Sequence, residues 1–194
     1  MNDTPAPAAA ILPADYPAEL ERVWQTADGT RVTLRALRPD DLDRELAFIG
    51  GLSEETLRLR LQYATRGVSR EEAERLLRLD YCDTLAVAAL VRTEAGEQIV
   101  GVSRYARTPG TDRAECAIVV ADHWQGRGLG MELMRSLGAA ARTRGIRFLE
   151  GTSLGENRRI LDWAQRLGFV VKAEPNSGGL VHVTLDLESL PAPS

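Results

Sequence analysis

The segment HWQGRGLG, residues 123–130, constrains the fold of this chain more than any other. Its three glycines follow the apolar run CAIVV and precede MELMRSLGAAART, whose apolar residues have helical spacing. Backbone amides at the start of a helix lack partners within the helix, and the helix dipole adds positive charge there. Because glycine has no Cβ, an anion can approach these amides closely. The segment therefore predicts a strand, a phosphate-holding loop and a helix. A tight turn without a ligand is the alternative.

The spacing of these glycines excludes two common phosphate-binding motifs. G-x-G-x-G differs from the dinucleotide motif G-x-G-x-x-G, and the chain contains no G-x-x-x-x-G-K-[ST]. The local charge nevertheless favours an anion, since residues 127–166 hold eight arginines and four acidic residues in a chain of net charge −4. Positive charge is therefore concentrated around one loop.

Two kinds of hydrophobic periodicity run along the chain. Alternation predicts strands, and apolar residues three and four apart predict helices. The predicted strands are 30–37, 84–92, 98–107, 113–121, 146–152, 169–174 and 180–187, and the predicted helices are 40–52, 53–64, 69–81, 128–143 and 157–167. The length fits one domain, predicted at 19–188 between a flexible Ala/Pro-rich tail at 1–18 and a C-terminal tail at 189–194.

Composition disfavours several classes of function. With two histidines and no close Cys/His cluster, the sequence predicts no metal site. The acidic net charge argues against general nucleic-acid binding, and no apolar run approaches the length of a membrane helix. The first residues lack the basic and apolar regions of a secretory signal. Two distant cysteines, Cys82 and Cys116, are expected to be buried thiols. We therefore expect a cytoplasmic protein.

Longer stretches of sequence resemble a known superfamily. IVVADHWQGRGLG resembles motif A of the GCN5-related N-acetyltransferases (GNAT), whose pattern Q/R-x-x-G-x-G/A is met by Gln125, Gly128 and Gly130. TSLGENRRILDWAQRLGF resembles the second half of that fold, with Asn157 at its asparagine. The resemblance covers about 30–185. It implies an α/β (α+β) GNAT fold, with a mixed central sheet of about six to seven strands flanked by helices.

Within the superfamily, the chain most resembles the acetyltransferase domain of bacterial protein-lysine acetyltransferases of the Pat type. The resemblance implies acetyl-CoA as co-substrate and no metal. It implies that backbone amides of the loop hold the pyrophosphate, that one strand offers its backbone to the pantetheine arm, and that Asn157 contacts the pantetheine amides. A helix cap is the alternative for Asn157. The loop residues are Gly126, Arg127, Gly128, Leu129, Gly130 and Met131, with Gln125 before them, and the strand residues are Ile118, Val119 and Val120.

Glu115 matches the general base of the Pat-type domain. Strand alternation places it with Ala117 and Val119 on one face, among apolar neighbours. A lysine amine, whose ordinary pKa is about 10.4, must lose a proton before it can attack a thioester. We expect apolar surroundings to strengthen the carboxylate as a base and a water molecule to carry the proton. A charge at the strand end that simply reaches solvent is the alternative.

The leaving thiolate and the acceptor are less constrained. Many superfamily members have a tyrosine as general acid where this chain has Ala164, and Tyr81, Tyr105 and Ser153 are possible substitutes. The subfamily resemblance favours a protein lysine as acceptor, for example in an acyl-CoA synthetase-like enzyme. A small-molecule amine acetyltransferase and a non-catalytic acetyl-CoA-sensing module are the alternatives. Monomer and homodimer are equally compatible with the sequence.

Overall fold

One mixed sheet runs through the protein, as seen in a computed structural model that describes residues 12–61, 68–173 and 178–191. Its order is β1-β2-β3-β4-β5-β6-β8-β7. The strands are β1 (Arg22–Gln25), β2 (Arg31–Ala36), β3 (Thr84–Thr93), β4 (Gly96–Arg107), β5 (Arg113–Val120), β6 (Phe148–Leu154), β7 (Val170–Ala173) and β8 (Leu180–Asp186). The helices are α1 (Leu42–Gly50), α2 (Glu54–Leu61), α3 (Arg70–Leu76), α4 (Leu129–Thr143) and α5 (Arg158–Arg166).

The predicted mixed sheet flanked by helices is confirmed, but it has eight strands rather than six to seven. The additional strand is β1, whose four residues alternate between half-buried and exposed at the edge of the sheet. So short an alternation is too weak a pattern to identify a strand from sequence. Residues 62–64 of one predicted helix and residue 174 of one predicted strand lie outside the described residues.

Helix α4 covers one face of the sheet. The apolar residues whose helical spacing predicted a core-facing side of this helix are all buried: Leu129, Leu133, Leu137, Ala140 and Ala141. The Ser103 hydroxyl of β4 donates a hydrogen bond to the Leu133 carbonyl oxygen at 3.1 Å. The opposite face of β4 carries Arg104, whose guanidinium lies 2.7 Å from the Glu45 carboxylate of α1. Helices α4 and α1 therefore lie on opposite faces of the sheet.

Packing contacts extend past the limits of 19 and 188 predicted for the domain. Tyr16 is 9% exposed, stacks edge-on against Tyr81, and donates its hydroxyl to the Ala36 carbonyl oxygen at 3.1 Å. At the other end, Leu190 is 3% exposed and packs so close to α4 that a Cβ on Gly138 would lie 2.3 Å from it. Burial removes the apolar surface of both side chains from water, which stabilises the fold.

Strands β5 and β6 separate partway along the sheet. β5 pairs with β4 as far as Val120, but its parallel pairing with β6 spans only Arg113, Ala114 and Glu115. β6 pairs along its whole length with β8 instead. Beyond Glu115 the edge of β5 that faces β6 is therefore open.

Candidate active site

The glycine loop connects the open end of β5 to α4. β5 ends at Val120, a short turn covers Asp122–Trp124, and α4 begins at Leu129. Gly126 has φ +80° and Gly128 has φ +85°, in the left-handed region that side chains with a Cβ rarely adopt. A Cβ on Gly126 would meet nothing within 4 Å, so its backbone conformation, and not crowding, requires glycine there.

The backbone amides of this loop divide into two groups. Met131 and Glu132 donate theirs to the Gly128 carbonyl oxygen, at 3.1 and 3.3 Å. In the part of the chain that the structure describes, the amides of residues 126–130 donate no hydrogen bond. These amides lie where the α4 dipole is positive, so they suit an anion such as a phosphate. The resemblance included Met131 among the residues whose amides hold the pyrophosphate. Met131 differs from the others because its amide closes the first turn of the helix.

Gln125 ties the loop to the strand before it. Its side-chain amide donates to the Val120 carbonyl oxygen at 3.0 Å. This contact holds the start of the loop against the end of β5. The hydrogen bond that the structure shows for the Gln125 side chain is thus with the protein backbone.

Two tryptophans pack around the loop. A Cβ on Gly128 would lie 3.7 Å from the Trp24 ring, and one on Gly130 would lie 3.4 Å from the Trp163 indole nitrogen. A Cβ at either position would make ordinary van der Waals contact with the ring, so these rings alone do not require glycine there. The position of Trp24 beside the loop could not be predicted, because β1 is distant from the loop along the chain.

The Arg127 side chain is directed to the β1–β2 turn. Its guanidinium lies 5.0 Å from the Trp124 ring centre and 3.1 Å from the Asp28 carboxylate. Hydrogen bonds from Thr26 and Thr30 lower the pKa of Asp28 to about 2. Asp28 is therefore an anion at neutral pH and holds Arg127 at this turn. Its position beside the loop could not be read from the sequence.

The open edge of β5 continues from the loop toward Glu115. Ile118, Val119 and Val120 are half-buried, and their opposite edge pairs with β4 through Ser103, Val102 and Gly101. Strand backbone with one open edge can pair with an extended ligand. The three residues predicted to meet a pantetheine arm thus lie along the gap between β5 and β6.

Glu115 marks the point where this gap begins. The face predicted for it is confirmed, since the preceding Ala114 is fully buried toward α4 and Glu115 is exposed on the other side. The apolar surroundings expected for it are wrong: its neighbours across the sheet are Ala106 on β4 and the charged Glu150 on β6. Strand register sets these neighbours, and alternation within β5 carries no information about them.

Asn157 caps helix α5. Its side-chain oxygen accepts a hydrogen bond from the Ile160 amide at 3.2 Å. This observation supports the helix cap considered from the sequence. The side-chain NH₂ group of Asn157 is left as a donor for a ligand contact.

The position of the missing tyrosine is part of the core. Ala164 is 4% exposed. Its three possible substitutes are buried and bonded to the backbone: Tyr81 to Leu37 O at 3.0 Å, Tyr105 to Cys82 O at 2.9 Å and Ser153 to Leu154 O at 3.3 Å. Burial raises the pKa of Tyr105 to about 12. These contacts favour a structural role for each of the three.

Helix α2 bridges the two sides of the gap. The Asp122 carboxylate, just after β5, accepts hydrogen bonds from the Ser53 amide and hydroxyl at 3.0 and 2.8 Å, and from the Thr56 hydroxyl at 2.7 Å. On the other side, Arg58 lies 2.8 Å from Glu156, which follows β6. Partial burial opposes ionisation of Asp122, but these hydrogen bonds outweigh it and lower the pKa of Asp122.

Three other observations bear on the predicted chemistry. Within residues 12–61, 68–173 and 178–191, no group of three or more His, Cys, Asp or Glu could hold a metal ion. No helix of that same part is long and apolar enough to span a membrane. Cys116 is half-buried, but Cys82 is exposed rather than buried because it lies in the turn that precedes β3.

Comparisons with known proteins agree on one family. A sequence model described as "Acetyltransferase (GNAT) domain" matches residues 31–170. Acetyltransferase PA5475 of Pseudomonas aeruginosa is 36% identical over 149 residues, which are 77% of this chain and 80% of that protein. Acetyltransferase Pat of Mycolicibacterium smegmatis is 32% identical over 148 residues, 75% of this chain. The match spans only 43% of that longer relative.

Solved structures show the same fold. The GNAT domain of S. lividans PAT has a TM-score of 0.79 and 29% identity, over 88% of this chain and 99% of that domain. The structure of yncA from Salmonella typhimurium, solved with its cofactor acetyl-CoA, has a TM-score of 0.66 and 19% identity. That match covers 84% of this chain and 98% of yncA, and at this identity it supports the fold alone.

Proposed function

The chain belongs to the GNAT family of acetyl-CoA-dependent N-acetyltransferases, and from this we propose that it acetylates the side-chain amine of lysine in a protein, such as an acyl-CoA synthetase, with Glu115 as general base. One observation carries the proposal: an exposed carboxylate stands where β5 and β6 separate, on the strand that leads into the glycine loop. The similarity to proteins named Pat supports the choice of acceptor.

Donor binding uses backbone groups. The amides of residues 126–130 would hold the pyrophosphate of acetyl-CoA at the positive end of α4. The open edge of β5 at residues 118–120 would pair with the pantetheine arm, and the Asn157 NH₂ group would contact its amides. This arrangement directs the thioester along the gap toward Glu115.

The acceptor then attacks directly, without a covalent enzyme intermediate. Glu115, through a water molecule, takes a proton from the lysine ammonium, and the neutral nitrogen attacks the thioester carbonyl carbon. A backbone amide of β5 would donate to the developing oxyanion. The nitrogen gives up its second proton to solvent and the carbon–sulfur bond breaks, so that the acetyl group stays on nitrogen as an amide. Coenzyme A leaves as a thiolate that takes a proton from solvent, consistent with the buried Ala164.

The cysteines support a cytoplasmic setting for the reaction. Both Cys82 and Cys116 are free thiols, and Cys82 is exposed. Exposed thiols favour a reducing compartment, so we place the reaction in the cytoplasm.

Labelled acetyl-CoA incubated with the protein and a bacterial lysate tests the acceptor. We expect label on protein lysines, mapped by mass spectrometry, and loss of that label with Glu115→Gln. Label on small amines alone would replace the lysine proposal with a small-molecule one. Binding of acetyl-CoA without transfer to any protein or amine would indicate a sensing module. Unchanged transfer by Glu115→Gln would remove Glu115 as the base.

A further inference from the structure

A second carboxylate lies directly beside Glu115. Glu150 of β6 is its partner in the last pair of residues that joins the two strands. The preceding pair, Ala114 and Leu149, is fully buried toward α4. Because side chains alternate along a strand, Glu115 and Glu150 therefore share the opposite face. The Glu150 side chain is 34% exposed.

Two carboxylates side by side on a sheet repel each other, so this pair has a cost that a cation would offset. Part of that charge is already balanced: Arg113, two residues before Glu115 on the same face, forms an ion pair with Glu150. Its guanidinium also lies 4.5 Å from the Phe148 ring centre. Glu150 thus already holds a cationic group beside the proposed base.

A surface groove of about 320 Å³ leads away from Glu150 across the open face of the sheet. It is lined by Arg113, Phe148, Glu150, Val170, Lys172, Thr184 and Asp186. Val170 is 58% exposed, so the groove offers apolar as well as charged surface to a bound chain. A lysine presented from this groove would meet Glu150, whose partner on the neighbouring strand is Glu115.

We propose that Glu150 is the residue that binds the ammonium group of the acceptor and positions it beside Glu115. The inference rests on the proposed function. An ammonium group has three N–H donors, so one can face Glu150 while another faces the route to Glu115. Arg113 competes with the arriving ammonium for Glu150, because both cations pair with the same carboxylate. The contact acts on acceptor binding, whereas Glu115 acts on proton removal.

The test is Glu150→Gln, which keeps the shape of the side chain and removes its charge. Lysate protein serves as acceptor at increasing concentration, with labelled acetyl-CoA at saturation. We expect the half-saturating acceptor concentration to rise about fivefold, which corresponds to the loss of one partly exposed ion pair with the acceptor. The maximal rate should change less than twofold, the acetyl-CoA affinity should be unchanged, and Glu150→Asp should restore part of the loss. Glu188→Gln is the matched control, since Glu188 is 74% exposed and outside the groove.

Other outcomes would contradict the proposed role of Glu150. An unchanged half-saturating concentration in Glu150→Gln, with Glu115→Gln inactive, would overturn the role of Glu150 and leave the proposed function intact. A fall in maximal rate with weaker acetyl-CoA binding would mean that Glu150 is structural. Absence of transfer by the wild type would overturn both proposals. If Glu150→Gln does not fold, Arg113→Gln replaces it: releasing Glu150 should lower the half-saturating concentration, and a rise would contradict the proposal.

Discussion

The two ends of strand β5 differ in the groups that they present. At its C-terminal end, Ile118–Val120 and the following loop offer backbone, with glycine at the positions of positive φ. At its N-terminal end, Arg113 and Glu115 offer exposed or partly exposed charged side chains next to Glu150. One strand thus carries the backbone site proposed for the donor and the side-chain site proposed for the acceptor.

This difference determines how each site should respond to substitution. The donor site should be sensitive to an added Cβ or a lost amide, and indifferent to most side-chain charges. The acceptor site should be sensitive to charge and indifferent to small changes in the loop. Substitutions at four positions test this difference.

Glu115→Gln should have the largest effect. Loss of general-base assistance is expected to lower the maximal rate of acetyl transfer to lysine by about 100-fold. Acetyl-CoA affinity, measured by isothermal titration calorimetry, should stay within twofold of the wild type, because Glu115 is exposed and outside the loop. A parallel loss of affinity would show that the two sites are not separate.

Gly128→Ala should act on the donor alone. An alanine at φ +85° is strained by about 1–2 kcal/mol, so the loop would leave the conformation that aligns its amides, and the Kd for acetyl-CoA should rise about tenfold. Gly145→Ala is the matched control at the other end of α4, because Gly145 has φ +75° and open space around it. It should lower the free energy of unfolding similarly and leave the Kd unchanged. Equal Kd values for the two variants would refute the role of the loop.

Two substitutions at Asn157 can distinguish its role as a helix cap from a contact with the donor. Asn157→Ala should lower the free energy of unfolding by about 1 kcal/mol, because the Ile160 amide loses its acceptor. Asn157→Ser keeps a capping oxygen but has no NH₂ group, so it should retain stability. If the NH₂ group contacts acetyl-CoA, both variants should raise the Kd about threefold, in line with one hydrogen bond. A normal Kd in both would leave Asn157 as a cap only.

Asp122 should give the smallest effect, because it holds helix α2 to the end of β5 rather than contacting either substrate. Its pKa is lowered in the folded protein, so its contribution to stability is present above its unfolded pKa of about 3.9 and is lost as the pH falls through the folded value. The stability difference between wild type and Asp122→Asn, measured by urea unfolding, should therefore be constant at neutral pH and vanish in acid. A difference that grew in acid would have the wrong sign.

The parts of the fold that depend on local sequence could be predicted from it. The glycine loop, the apolar stripe of α4 and the face of β5 that carries Glu115 all follow from spacing within one segment, and the structure agrees with each. Such patterns record which side of an element meets the core.

The parts that depend on pairing between distant segments could not be predicted. The exposure of Glu115 and its neighbour Glu150 follow from the register of β5 and β6, whose paired residues are 35 positions apart. The packing of Trp24 against Gly128 depends on β1, a strand too short to be recognised. The proposed acceptor site depends on such contacts, which is why the sequence identified the donor more firmly than the acceptor.

The most direct test of separate donor and acceptor sites is the rate of lysine acetylation by Gly128→Ala and Glu115→Gln as acetyl-CoA is raised to saturation. Gly128→Ala should approach the wild-type rate once the donor is saturating, since only binding is impaired. Glu115→Gln should remain about 100-fold slower at every concentration. Recovery of Glu115→Gln at high acetyl-CoA, or a rate for Gly128→Ala that stays low, would contradict the account.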